Sequence, residues 1–184
     1  MLYLICLFLQ NPTVTRCGEK VRLNNTMEKD SMERDTHYVI VRGEVGDIDS
    51  IVQFQADMAM ESEGCVLDKE RVTRGVTAAM LDESKGIYWV ARIGEIPVGS
   101  LMLTREWSDW NDEWYWWIQS VYVTPEHRRQ GLYKAMYEKV KEAARESGVS
   151  QVRLYVDKTN RPAQEVYHHL GMHESHYLMF EENA

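Results

Sequence analysis

The stretch Val121-Tyr-Val-Thr-Pro-Glu-His-Arg-Arg-Gln-Gly131 decides how this chain of 184 residues is interpreted. It begins as an apolar strand, which Pro125 ends, and it continues into a strongly amphipathic helical pattern between Leu132 and Ser147. Unpaired backbone N–H groups and the positive end of the helix dipole meet at such a helix start. The stretch therefore predicts an anion site, although an ordinary strand–helix turn with exposed arginines has the same local pattern.

The segments on either side of this stretch alternate between strands and helices. Apolar alternation predicts strands at 38–42, 87–93, 98–104, 114–123, 152–156 and 177–180, and helical periodicity predicts helices at 48–60, 68–82, 132–147 and 162–170. The order β-α-α-β-β-β-α-β-α-β predicts a mixed α/β (α+β) domain on a single sheet. This domain is expected to cover residues 37–184. Residues 1–36 show no such pattern and are expected to form a poorly ordered N-terminal extension.

Composition limits the partners and the compartment. The chain has 21 Lys and Arg against 29 Asp and Glu, a net charge of −8, which opposes binding to a nucleic-acid backbone. It contains no run of apolar residues long enough for a transmembrane helix. Three cysteines without metal-ligand spacing favour a reducing, cytoplasmic location, and no metal site is expected.

Two motifs in the right order resemble those of the GNAT superfamily, the acyl-CoA-dependent N-acetyltransferases, over about residues 38–182. The first is Val-x-Pro-x-x-Arg-x-x-Gly, which runs from Val123 to Gly131 and is similar to the family's pyrophosphate-binding motif. The second follows the strand at 152–156 and consists of Asn160, Ala163, Tyr167 and Leu170-Gly-Met172. The resemblance implies a centrally splayed β-sheet flanked by helices, acetyl-CoA as co-substrate and an amine as acceptor.

The resemblance also implies roles for individual residues. Cofactor contacts are implied for Val121, Tyr122, Val123, Arg128, Arg129, Gln130, Gly131, Leu132, Tyr133, Lys134, Asn160 and Tyr167. The strand main chain would pair with the pantetheine arm, and the N–H groups of the following loop would hold the pyrophosphate. The Val121 N–H would polarise the thioester carbonyl, Asn160 would bond a pantetheine amide, and the Tyr167 hydroxyl would protonate the leaving thiolate.

Two residues depart from the family pattern. Tyr133 stands two residues after Gly131, where the family usually has Gly or Ala, so its side chain must turn away from the phosphates or narrow the site. Gln119 stands on the central strand where many members carry a glutamate, and an amide does not accept a proton as a base. A water chain or another carboxylate would then deprotonate the amine.

The acceptor region is predicted from charge and aromatic content. Between Gly43 and Asp68 there is no Lys or Arg among several carboxylates. Such a region would attract a cationic amine, and Glu61 would relay its proton, although a solvated acidic surface has the same composition. Tryptophans near residue 110 either pack in the core or form a wall for the acceptor. Acceptor contacts are therefore predicted for Asp57, Glu61, Glu63, Trp107, Trp116 and Gln119.

These observations predict an acetyltransferase that moves an acetyl group to a primary amine by direct attack. The acceptor would be a small molecule or a peptide and is expected to be cationic. The alternative is a non-catalytic acyl-CoA-binding or regulatory module of the same fold. Gln119 supports this alternative, because it stands where many members carry a glutamate that can act as a base. Neither nucleic acid nor a membrane is an expected partner, and a homodimer is compatible with the sequence.

Overall fold

The computed structural model describes residues 37–182, so the predicted extension at 1–36 lies outside the described residues. The elements are β1 (Val39–Arg42), α1 (Ile48–Glu63), α2 (Lys69–Leu81), β2 (Ile87–Ile93), β3 (Ile96–Ser108), β4 (Glu113–Val123), α3 (Leu132–Glu146), β5 (Gln151–Leu154) and α4 (Arg161–His169). Short 3₁₀ turns lie at Val45–Asp47 and Pro125–His127.

The strands form one mixed sheet in the order β1-β2-β3-β4-β5. The first four strands are antiparallel neighbours, and β5 joins β4 in parallel after the crossover through α3. The α/β (α+β) prediction with a single mixed sheet is confirmed. The loop predicted around residue 110 is shorter than expected, because β3 and β4 continue as a hairpin to Ser108 and Glu113.

The strand predicted at 177–180 is wrong. These residues form no ladder with any strand of the described chain, and their large side chains are mostly exposed. The aromatic and apolar residues Tyr177 to Phe180 favour an extended conformation, but a strand also requires a neighbouring backbone to bond with. A local pattern does not specify that neighbour.

The helices cover both faces of the sheet. The main core lies on the face of α3 and α4, where Leu132, Met136 and Val140 pack against strand residues such as Ile118 and Val121. A smaller core on the other face joins Ile51 of α1 and Val76 of α2 to Val90 of β2. The first five residues of β2 are therefore all buried, because its alternate side chains enter the cores on the two faces of the sheet.

Caps and turn residues determine where the helices on the second face begin and end. The Asp68 side chain accepts a hydrogen bond from the Arg71 N–H at the start of α2, as an N-cap does. Helix α1 ends at Gly64, whose φ of 61° is the left-handed conformation that glycine adopts easily. Before α1, the buried Asp47 carboxylate accepts from Arg92 of β2 and from the Glu44 N–H, which fixes the helix to the sheet.

The sheet opens between β4 and β5. The parallel pairing ends at Ile118 and Leu154, whereas β4 continues to Val123. A β-bulge lies in the same place, because Ser120 and Val121 together face one residue of β3, and Ser120 has a φ of 52°. The carboxyl-terminal part of β4 therefore borders a gap, which we call the β4–β5 gap (residues 119–123 of β4, facing the continuation of β5).

Candidate functional site

The main chain of β4 points into the β4–β5 gap. Thr124 donates its N–H to the Val98 carbonyl, so its backbone faces β3. Backbone groups alternate sides along a strand, so the N–H and C=O of Val123 point away from β3. The Val123 carbonyl already accepts from Arg128 Nε, so an extended polar chain could add to β4 at the Val123 N–H.

The loop after β4 presents N–H groups towards the start of α3. Arg129 and Gly131 have φ values of 61° and 79°, and such left-handed residues turn successive N–H groups to one side. Gly131 is the N-cap of α3, and within the described chain no side chain caps this helix. The uncapped first-turn N–H groups and the helix dipole have the arrangement that the sequence predicts for an anion site, and the side chains of Arg129 and Lys134 in this segment are exposed.

The side chains of Arg128 and Gln130 are used within the protein. Arg128 donates from Nε to the Val123 carbonyl at 2.8 Å. Gln130 accepts from the Tyr38 hydroxyl and donates to the Glu126 carbonyl, at 2.9 and 2.6 Å. Both side chains therefore shape the loop.

Glu61, Arg128 and Tyr122 form one cluster, which we call the Glu61 cluster. One carboxylate oxygen of Glu61 accepts from Arg128 Nη2 at 2.8 Å, and the other accepts from the Tyr122 hydroxyl at 3.0 Å. The Arg128 guanidinium also lies 5.3 Å from the centre of the Tyr122 ring. Burial, and then the Glu61 hydrogen bond, raise the pKa of Tyr122, so its hydroxyl remains a donor.

The Glu61 cluster changes the interpretation of Glu61. Protein donors engage both of its oxygens, which indicates a structural role for Glu61, and the proton relay expected from the sequence stays a prediction. Glu61 ties the carboxyl end of α1 to the loop that holds Arg128. Glu63 is exposed at the end of α1, and Asp57 accepts from Gln53 Nε2 at 2.7 Å.

Helix α4 places Asn160 and Tyr167 on the other side of the gap. Asn160 is the N-cap of α4 and accepts from the Ala163 N–H at 3.1 Å, which leaves its NH₂ group as the part suited to a pantetheine amide. Tyr167 is 4% exposed and belongs to the main core with Val121 and Val123. The Tyr133 ring contacts Tyr167 edge to face and is buried with it, so Tyr133 turns away from the loop.

The opposite face of the gap carries polar and aromatic side chains. Gln119 donates from Nε2 to Thr104 Oγ1 at 2.6 Å, which orients its amide. On the same face, two residues earlier in β4, the Trp117 ring stacks on Tyr155 with 4.6 Å between ring centres. The Trp117 indole N–H donates to Glu106, and Arg153 pairs with that carboxylate at 3.2 Å. We call Glu106, Trp117, Arg153 and Tyr155 the Trp117 surface.

Two tryptophans predicted to contact the acceptor lie elsewhere. Trp116 is 4% exposed in the main core, on the sheet face opposite to Trp117, so it is not retained as an acceptor residue. Trp107 packs against Trp114 at the far end of the hairpin. The five residue steps along β4 from Trp114 to Gln119 span about 16 Å, so Trp107 does not reach the gap. Sequence reasoning missed Tyr155, since only the β4–β5 register brings it to Trp117.

Within residues 37–182, no three His, Cys, Asp or Glu side chains are grouped as metal ligands would be. The helices of the same range are too short or too polar for any of them to cross a membrane.

The open edge of the sheet and the helix start beside it suit one kind of ligand. A mixed sheet that opens beside a glycine-led, uncapped helix start is suited to an extended carrier with a phosphate at one end. The sequence profile of the Acetyltransferase (GNAT) family matches residues 54–172. The chain belongs to this family and is an N-acetyltransferase.

Individual relatives support this assignment. A possible acetyltransferase from Clostridium difficile 630 superimposes with a TM-score of 0.76 and 38% identity, over 80% of this chain and 97% of its own. A predicted acetyltransferase from Clostridium acetobutylicum, solved with acetyl-CoA, shares the fold at a TM-score of 0.64 and 17% identity, over 79% and 96% of the two chains.

One curated relative carries a more specific name. The thialysine N-epsilon-acetyltransferase of Caenorhabditis elegans is 30% identical over 86 residues, which are 46% of this chain and 53% of the relative. This chain thus matches about half the length of that relative.

Proposed function

We propose that the protein transfers an acetyl group from acetyl-CoA to a primary amine of a small cationic molecule or peptide. The observation that carries the proposal is the β4–β5 gap, which Val121 and Val123 of β4 border and which the uncapped start of α3 at Gly131 follows along the chain. The residues present fit acetyl-CoA, which supplies an activated acyl group when bound. Its arm would lie along β4 and its pyrophosphate at the start of α3.

The chain's own groups would act on the two sides of the thioester. The Val121 N–H donates to the carbonyl oxygen and stabilises the negative charge that develops there. The amine nitrogen forms a bond to the carbonyl carbon, and the carbon–sulfur bond breaks. The Tyr167 hydroxyl, on α4 across the gap, donates its proton to the departing sulfur. No covalent intermediate with the protein is required.

The amine must lose a proton, and Gln119 does not accept it. Its Nε2 is directed to Thr104, and an amide is not basic at neutral pH. In this proposal the proton passes to water at the open side of the gap, and Gln119 orients the incoming amine by a hydrogen bond. Glu61 keeps a positioning role.

The Trp117 surface would contact the cationic part of the acceptor through its two stacked aromatic rings. The Glu106 carboxylate on this face is already bonded to Trp117 and paired with Arg153, so the rings would provide the contact. The Arg153 guanidinium lies 3.9 Å from the centre of the Tyr115 ring, and this contact on the same face supports the proposal that a cation can pack there. The ε-amine named for the C. elegans relative has the chemistry expected of such an acceptor.

Release of CoA thiol tests the proposal directly. The protein would be incubated with acetyl-CoA and a panel of amines comprising lysine analogues, polyamines, aminoglycosides and peptides with free N-termini. Thiol formation that depends on both protein and amine is expected for at least one cationic class. Binding of CoA without turnover for any amine would instead favour a non-catalytic acyl-CoA-binding module.

Separate replacements of Glu61 and Glu63 test the Glu61 cluster. We expect Glu61→Gln to raise the acetyl-CoA KM about twofold to fivefold, because it removes the charge that holds Arg128 beside Val123. Glu63→Gln removes an exposed charge of the same helix and is the matched control, with an unchanged acetyl-CoA KM. Steady-state kinetics at a fixed acceptor concentration measure the acetyl-CoA KM of both variants. Equal KM values for the two variants would contradict the positioning role.

Replacement of Tyr155 tests the Trp117 surface. Tyr155→Ala is expected to raise the acceptor KM about fivefold to tenfold with the acetyl-CoA KM within twofold, since it removes one of the two stacked rings. Tyr155→Phe keeps the ring and should behave like the parent protein. Trp107→Ala removes an aromatic ring at the far end of the hairpin and serves as the control. A similar acceptor KM in Tyr155→Ala and Trp107→Ala would exclude the surface as an acceptor site.

A further inference from the structure

Tyr133 occupies a position that is usually glycine or alanine in the family motif, and its side chain lies inside the protein. The ring is 6% exposed and belongs to the core cluster that includes Val121, Val123 and Tyr167. It meets the Tyr167 ring edge to face, with 5.9 Å between centres and an interplanar angle of 65°. On its other side Tyr137 stacks on it at 6.4 Å. Tyr133 therefore lies beside Tyr167, the predicted general acid, in the core cluster that also contains Val121 and Val123 of β4.

The hydroxyl of Tyr133 is buried and has no hydrogen-bond partner among residues 37–182. Burial raises the pKa of this phenol, so the group remains protonated and is a donor at neutral pH. A buried hydroxyl without a partner destabilises the folded protein, and a phenylalanine would fill the same space without that penalty. Packing alone therefore does not explain why the position carries a hydroxyl.

We propose that the Tyr133 hydroxyl donates a hydrogen bond to the pantetheine arm of acyl-CoA in the β4–β5 gap. The inference rests on the proposed function, because it needs acyl-CoA in that gap. The arm carries amide carbonyls that accept hydrogen bonds, and Val121 and Val123, which share the core cluster with Tyr133, belong to the part of β4 that borders the gap. Tyr133 is a binding residue in this proposal, next to Tyr167 but distinct from it in function.

Tyr133→Phe removes the hydroxyl and keeps the ring. We expect it to maintain or raise the thermal stability of the free protein and to weaken the binding of CoA. The free protein should be as stable as the parent or more stable in thermal unfolding, because an unpartnered buried hydroxyl is lost. The Kd for CoA, measured by calorimetry, should rise about fivefold to tenfold, as expected for one lost hydrogen bond. Adenosine 3′,5′-bisphosphate, which lacks the arm, should bind both proteins equally.

Tyr137→Phe is the matched control. It removes a hydroxyl from the neighbouring ring of the same helix and should leave the Kd for CoA unchanged. A Kd for CoA within twofold of the parent in Tyr133→Phe would overturn the inference. A clear loss of thermal stability in Tyr133→Phe would do the same, because it would indicate a partner inside the protein.

The parent protein separates this inference from the proposed function. If the parent does not bind CoA, the proposed function fails and the inference fails with it. If the parent binds CoA and Tyr133→Phe binds it equally well, only the inference fails. Weaker binding of adenosine 3′,5′-bisphosphate by Tyr133→Phe would also overturn it, since the effect would then lie outside the arm.

Discussion

Tyr167→Phe is expected to lower kcat by about two orders of magnitude or more, with little change in the acetyl-CoA KM or the melting temperature. The size of this decrease in kcat follows from the usual contribution of a general acid, since the leaving thiolate would depart without a proton. The ring would stay in place, because it is 4% exposed in the main core and contacts Tyr133 edge to face. Thiol release at saturating acetyl-CoA measures kcat.

Two measurements distinguish a catalytic role of the Tyr167 hydroxyl from a structural role. Calorimetry with CoA should give a Kd within about twofold of the parent, since only the hydroxyl is lost. Tyr137→Phe, on the neighbouring helix α3, should keep the parent's kcat and shows what the loss of a remote hydroxyl does. An unchanged kcat in a folded Tyr167→Phe would remove Tyr167 from the mechanism and leave protonation of the sulfur to water.

Gly131→Asp is expected to raise the Kd for CoA at least tenfold, a loss of about 1.4 kcal/mol or more. The substitution places a negative charge at the N-cap of α3, where the helix dipole and first-turn N–H groups would face the pyrophosphate. A β-carbon at this position has no described atom within 4 Å, so the effect would not come from a clash within the protein. Calorimetry with CoA measures it.

Backbone strain is the competing explanation, because Gly131 has a φ of 79°. Gly131→Asn has nearly the same shape without the charge, and asparagine tolerates this conformation better than most residues. We expect it to bind CoA more tightly than Gly131→Asp. Gly148→Asp places the same side chain at the other end of α3, at a φ of 68° and also in open space, and should leave the Kd unchanged. An unchanged Kd in folded Gly131→Asp would remove the anion site.

Most of the helices and strands were predictable because their signals are local. The period of apolar residues predicted α3 from Leu132 to Ser147, and the structure has it from Leu132 to Glu146. The motif from Val123 to Gly131 indicated the family, which the profile match confirms. Its glycine has the positive φ that such a loop requires. In each case the decisive residues are neighbours in the chain, so the conformation follows from short-range sterics and hydrogen bonding.

The acceptor side of the site was less predictable. Alternation placed Trp116 and Trp117 on opposite faces of β4, but it did not say which face α3 would cover. The structure puts Trp116 under α3 and α4, and leaves Trp117 beside Tyr155. The same limitation explains the strand wrongly predicted at 177–180, where the residues suit a strand but have no neighbouring backbone to pair with.

The sequence by itself determined the element order as far as α4 and the family of this protein, and its anion site at Gly131 stays a prediction. Only the tertiary structure decided that Glu61 holds Arg128, which lies 67 residues further along the chain, and that Tyr133 turns inward against Tyr167. Local preferences arise within a few residues, where backbone sterics and periodicity act. The partner of a side chain depends instead on how whole helices and strands pack, and contacts of that kind have no signature in the residues around either partner.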